Sequence, residues 1–163
     1  MFPGSTLLEN LSRYYIGISY LRKVPSNWFE VIQKIRSSKK DIYILQLINL
    51  SSFYSFRQLL FSIYNVLSSF EYGFSRLKNP SNELLLVVSG EDQFSRAVER
   101  CGVEVGSEAI LVLATKDLKS FYETISDLSQ RFGGLLYITP PYLDKSMSKA
   151  EKQAIENGAL IYL

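Results

Sequence analysis

The chain has no histidine, which excludes Ser-His-Asp and Cys-His catalysis, histidine-containing zinc sites and imidazole pH switches. Its one cysteine, Cys101, excludes an internal disulfide and reads as a structural thiol. No apolar run approaches the ~18 residues of a membrane span, and Met1 to Gly4 do not lead into a signal-peptide pattern. A cytoplasmic protein without membrane contact is therefore expected. Walker A, GxGxxG and GxSxG motifs are absent, as is any cluster of cysteine and histidine. Catalytic residues: none are expected, nor is a metal or a cofactor. Glu71, Glu83, Glu91 and Asp92 have no spacing that marks an acid and base pair, and capping or surface charge explains them more simply. Charge of either sign is scarce in excess: the net value is +2, so any RNA contact must be local.

Hydrophobic residues make up 47% of the 163 and charged residues 21%, the composition of a folded domain, and residues 1–163 read as a single one. Strands are predicted over Tyr14 to Val24, Ile42 to Ile48 and Ala109 to Thr115, with a short one over Leu135 to Ile138. A short helix follows Asn27, which has capping-box spacing to Glu30. The longest helix is expected after a cap at Ser51 or Ser52. In it Phe53, Phe56, Leu60, Ile63, Leu67 and Phe70 recur at steps of three and four, and Tyr54, Phe61 and Tyr64 broaden the apolar surface. Such breadth suits either a central helix or a face kept for a partner, with Phe61 and Tyr64 as the candidate partner-binding residues. Leu118 to Phe132 is a further helix, ended by Gly133 and Gly134, and Pro140 with Pro141 breaks regular structure. Ser148 and Glu151 open a last helix that Gly158 is expected to stop. The fold class is α+β, a mixed β-sheet packed with several helices, one of them long and apolar.

The most informative stretch is ELLLVVSGEDQFSRAVERCGV, Glu83 to Val103. Leu84 to Val88 reads as a buried strand, Ser89 as the cap of a helix starting near Glu91, and Gly102 as the left-handed residue that stops that helix. Phe94, Ala97, Val98 and Cys101 would face inward, leaving Gln93, Arg96 and Arg100 outside. A Ser-Gly turn at a helix start offers backbone N–H groups, a hydroxyl and the Gln93 amide, which suit an unpaired base or a phosphate. The simpler explanation is that Ser89 only caps and Gln93 only ties the turn to its neighbour. Arg96, Arg100, Arg76 and Lys78 would add local positive charge, opposed by Glu91 and by Asp92, which has the spacing to pair with Arg96.

Ser89, Gly90, Gln93, Phe94, Ala97, Gly102 and Val103 together resemble the signature of the PRPK-binding protein family, the small accessory subunit of the KEOPS complex. The likeness extends back through FRQLLFSIYNVLSSFEYGFSR and forward to AEKQAIENGALIYL. Glu91 and Asp92 depart from the polar or basic residues the family more often carries there. KEOPS installs the threonylcarbamoyl group on adenosine beside the anticodon of tRNAs that read codons starting with A. The resemblance implies a noncatalytic subunit that binds the kinase-like ATPase subunit and helps recruit tRNA through its CCA end. On that reading Ser89, Gly90 and Gln93 shape the RNA site, while Arg76, Lys78, Arg96 and Arg100 hold the backbone. Homodimerisation stays open. The alternatives are a homo-oligomeric scaffold or small-molecule-sensing α+β domain, and, third, a carboxylate-dependent enzyme.

Overall fold

The computed structural model describes residues 14–137 and 148–163. Pro140, Pro141 and the end of the strand expected at Ile138 lie outside them. The elements are β1 (Tyr15–Leu21), α1 (Trp28–Ser38), β2 (Ile42–Asn49), a 3-10 turn (Leu50–Ser52), α2 (Phe56–Tyr72), α3 (Pro80–Ser89), α4 (Phe94–Cys101), β3 (Ala109–Thr115), α5 (Leu118–Phe132), β4 (Leu136–Tyr137) and α6 (Lys149–Leu160). The chain divides into two compact units. Among the described residues, one comprises 14–50 and 103–137; the other comprises 51–102 and 148–163.

The first unit holds the sheet, in strand order β2-β3-β1-β4. Every pairing is antiparallel, so the sheet is not mixed as expected. The physical reason is that the run expected to supply a further strand, Leu84 to Val88, is helical. Strands β1 and β2 flank β3 rather than each other, and two β-α-β passes, β1-α1-β2 and β3-α5-β4, interleave in the split arrangement of ferredoxin-like sheets. Ala109, Leu111 and Leu113 of β3, with Leu45, Leu47 and Leu21 beside them, meet Val31, Ile32 and Ile35 of α1 and Phe121, Leu128 and Phe132 of α5. Ile110, Val112 and Ala114 alternate to the other face and are equally buried, which is why β3 is apolar without interruption. Arg36 donates two hydrogen bonds, at 2.9 and 2.5 Å, to the Leu45 carbonyl of the edge strand β2. Burial lowers its guanidinium to about 10. Asn27 occupies the N-cap position of α1 but makes no side-chain cap bond.

The second unit is helical, with α3 packed against α2, α4 and α6. Leu84 to Val88 lie inside α3, a correction to the strand expected there. A short aliphatic run carries no periodicity that separates a buried strand from a helix buried on all sides. The decisive signals lie outside the run: Asn79 Oδ1 accepts from Ser81 N–H at 2.8 Å, Pro80 takes the first helical position, and Gly90 closes the helix with φ +69°. The long helix α2 is capped by Ser55, not by Ser51 or Ser52, because Ser55 stands three residues before Gln58 and accepts its N–H at 3.1 Å. Gly158 lies within α6 rather than ending it. A Cβ there would come within 2.6 Å of the Val87 carbonyl, so glycine lets α6 approach α3 closely. No helix among the described residues is long and apolar enough to cross a membrane.

Candidate functional site

Ser89 is the last residue of α3, not the cap of a following helix, so the Ser89-Gly90 turn presents a helix C-terminus. Carbonyls rather than N–H groups point from it, and the helix dipole there opposes an anion. The turn's own groups are largely used. Ser89 Oγ donates to the Leu86 carbonyl at 3.0 Å and accepts from Glu91 N–H at 3.2 Å, while Gly90 N–H donates to the Leu86 and Val87 carbonyls. Arg100 reaches back from α4 to donate to the Ser89 carbonyl at 3.0 Å and to Glu91 at 3.2 Å. It neutralises the helix end that a phosphate would avoid.

The neighbouring helix begins later than expected. Gln93, exposed, holds the N-cap position of α4 without a side-chain cap bond. Ala97 and Cys101 are buried, but Phe94 and Val98 are exposed, which corrects their expected inward placement. Gly102 has φ −64° and is not left-handed. Arg96 is exposed, and the ion pair in this region joins Glu91 to Arg100 rather than Asp92 to Arg96. Burial raises the Cys101 thiol above its ordinary value, as befits an inert core group.

Two hollows border the turn. A cavity of about 290 Å³ is lined on one side by Val88, Ser89 and Arg100, on another by Ser52, Tyr54 and Gln58, and on a third by Ala150, Gln153, Ala154 and Asn157 of α6. An adjoining hollow of about 300 Å³ shares Ser52, Tyr54 and Arg100 with it. Gln58 braces this cleft, accepting from Tyr54 N–H at 2.6 Å and donating to the Val88 carbonyl at 3.3 Å. Tyr54 is left 67% exposed. Gln153 donates to Asn157 Oδ1 at 2.9 Å, so this pair keeps a free amide acceptor and donor at the rim. The second hollow, about 260 Å³, lies past Gly90 and is lined by Arg76, Asp92, Asn157 and Leu160 among others.

The expected RNA-binding set is thus divided. Ser89 and Arg100 line the cleft; Gly90 and Arg76 line the second hollow; Gln93, Arg96 and the exposed Lys78 line neither. Arg76 has a structural task as well, donating to the Ile161 carbonyl at 3.1 Å. Phe61 and Tyr64 are half-buried on α2. Tyr54, Gln153 and Asn157 line the cleft as well and are not among the expected residues. Tyr54 reads as helix surface, and nothing in the sequence ties residues 52–54 to residues 153–157.

The arrangement offers an exposed aromatic ring, one guanidinium and several amide and hydroxyl groups, which suits recognition better than bond making. The class this defines is an α+β binding protein. The sequence model of the family described as kinase binding protein CGI-121 matches residues 22–136, and the chain belongs to that family. The match runs from just past β1 to the first residue of β4 and does not include α6. No curated protein matches the chain. The family is described by its binding to a kinase, not by a reaction.

Proposed function

We propose that this chain is the noncatalytic subunit of KEOPS that binds the kinase-like ATPase subunit and helps bring tRNA, through its CCA end, to threonylcarbamoyl transfer. Family membership supports the kinase-binding half, and on this reading Phe61 and Tyr64 of α2 contribute to that interface. The protein acts as one functional domain in the cytoplasm. The tRNA half rests on one observation, the cleft in which exposed Tyr54 and Arg100 stand beside the Ser89-Gly90 turn. Unpaired terminal nucleotides are held by stacking and edge hydrogen bonds, with few phosphate contacts, so a helix C-terminus and a small net charge are no obstacle. Tyr54 stacks a base, the Gln153 and Asn157 amides meet its edge, and Arg100 takes a phosphate, with Gly90, Gln93, Arg76, Lys78 and Arg96 guiding the strand that leads in.

The test is a binding titration with matched tRNAs, intact and lacking CCA. Intact tRNA should bind more tightly, and Tyr54→Ala should remove about 1–3 kcal/mol from that preference. Equal affinity for the two RNAs sinks the CCA role. Light scattering of the chain alone and with the kinase-like subunit tests the other half: a homodimer that ignores the kinase overturns it in favour of a homo-oligomeric scaffold.

A further inference from the structure

Charge is unequally shared between the two units. Among the described residues the sheet unit, 14–50 with 103–137, carries nine lysines and arginines against seven aspartates and glutamates, net +2; the helical unit carries seven of each, net zero. The cleft therefore belongs to the unit without a cationic excess. In the sheet unit the pairing of Ile42 with Thr115 brings the turn after α1 to the junction of β3 and α5. Lys39 and Lys40 of that turn and Lys116 and Lys119 of that junction fall at this corner. Lys39 Nζ lies 3.5 Å and Lys119 Nζ 3.9 Å from the two carboxylate oxygens of Glu123. Lys116 Nζ stands 5.0 Å from the centre of the Tyr43 ring and 5.3 Å from that of Tyr14, and Lys40 is exposed in the turn. The acids at the corner are Asp41, Asp117 and Glu123. Asp117 is engaged in capping α5, accepting from Ser120 N–H at 2.8 Å, and Glu123 is shared between two lysines. Tyr122, 65% exposed, lies three residues past Lys119 and so on the same side of α5.

We propose that this corner is a second RNA surface, one that holds backbone phosphates independently of sequence and of the terminal nucleotides. It rests on the reading of the chain as a tRNA-binding protein. Phosphate contacts position an RNA while base contacts specify it, and here the two tasks fall on different units. Flexible ammonium groups around an exposed ring suit a strand of phosphates and base faces, whereas lysine is depleted in the buried centres of protein interfaces.

The experiment uses the full chain with Lys39→Ala, Lys40→Ala and Lys119→Ala combined, and fluorescence anisotropy with intact and CCA-lacking tRNA across a salt series. Each lysine that meets a phosphate should contribute about 0.7–0.9 to the slope of log affinity against log salt. Affinity at low salt should fall roughly tenfold or more, equally for both RNAs, with a shallower slope. Glu123→Gln, which frees Lys39 and Lys119, should instead tighten both RNAs and steepen the slope; it decides the question if the triple variant melts early. Unchanged affinity and slope overturn the proposal, as does a loss confined to intact tRNA. Unaltered RNA binding with weakened capture of the kinase-like subunit would make the corner a protein contact instead. If the two RNAs bind equally yet both weaken in the triple variant, the CCA reading fails and this one stands.

Discussion

In the sheet unit the buried polar side chains among the described residues, Ser19, Gln46, Thr115, Ser120 and Thr124, carry no charge, whereas the helical unit buries Arg57, Glu83 and Glu151 among its aliphatic side chains. The difference follows from where each unit finds backbone partners. A strand pairs its N–H and C=O groups with its neighbours, so the ladder itself joins β1, β2 and β3. A helix satisfies its own backbone and offers nothing to the next helix or to a connecting loop. Side chains must then tie the helical unit together, and Glu83 does much of this. Its carboxylate accepts from Ser69 Oγ at 2.6 Å, from Arg76 and Leu77 N–H at 2.5 and 2.8 Å, and from the Tyr162 hydroxyl at 2.9 Å. One buried group thus joins α2, the connection to α3 and the end of the chain. Arg57 and Glu151, paired at 2.6 Å, join α2 to α6 in the same way.

The largest expected effect comes from removing that centre. Glu83→Ala should cost about 3–5 kcal/mol, because two backbone N–H groups and two hydroxyls lose a carboxylate partner that is itself fully buried. In the sheet unit Leu111→Ala should cost a comparable ~2–5 kcal/mol by leaving a cavity. The two losses differ in kind. Hydrogen exchange should rise first at residues 74–79 in the Glu83 variant and across β1 to β3 in the Leu111 variant, with urea unfolding giving the totals. A cost below about 1 kcal/mol for Glu83→Ala would mean that apolar packing holds both units.

A smaller effect separates the units by pH. Burial, and then the negative charge of Glu83, holds the Tyr162 hydroxyl well above its ordinary value, although Ser69 and Arg76 pull the other way. The folded state therefore keeps a proton that the unfolded chain gives up near pH 10. The stability this group contributes is complete below that pH and is lost as pH rises above it. Tyr162→Phe should cost about 1.5 kcal/mol near neutral pH, for one hydrogen bond to a charged acceptor. The gap between parent and variant in urea midpoints should close above about pH 10. A gap that stays constant would detach Tyr162 from the network.

The two units also differ in how much of them the sequence discloses. In the sheet unit the bounds of β3 and α5 coincide with those expected, those of α5 because a helical stripe and the Gly133 stop agree with one another. In the helical unit α6 starts as expected at Ser148, but Leu84 to Val88 reads as a strand and is helix. Ala109 to Ala114 and Leu84 to Val88 are alike in being aliphatic and buried throughout, so neither hydropathy nor period tells them apart. Because Ser89 then falls at the end of a helix instead of the start of one, the chemistry read into the turn reverses from N–H donors to carbonyls. The cleft beside it was legible only in Ser89 and Arg100. Tyr54 comes together with Gln153 and Asn157 across about a hundred residues of chain, which no local pattern records.

If flanking residues decide between the two backbones, they should carry measurable stability. Asn79 and Asp117 are matched probes: each accepts a first-turn N–H at 2.8 Å, one opening α3 and the other α5. Loss of a cap costs typically about 1 kcal/mol, so Asn79→Ala and Asp117→Ala should fall within a few tenths of each other in urea unfolding. Equal costs would mean that local capping is used alike in both units, and that the Asn-Pro start with the Gly90 stop was the signal to weigh against the aliphatic run. A negligible cost at Asn79 beside a full one at Asp117 would mean that α3 is held helical by the helices around it. Its conformation would then be tertiary in origin, and no reading of the local sequence could have found it.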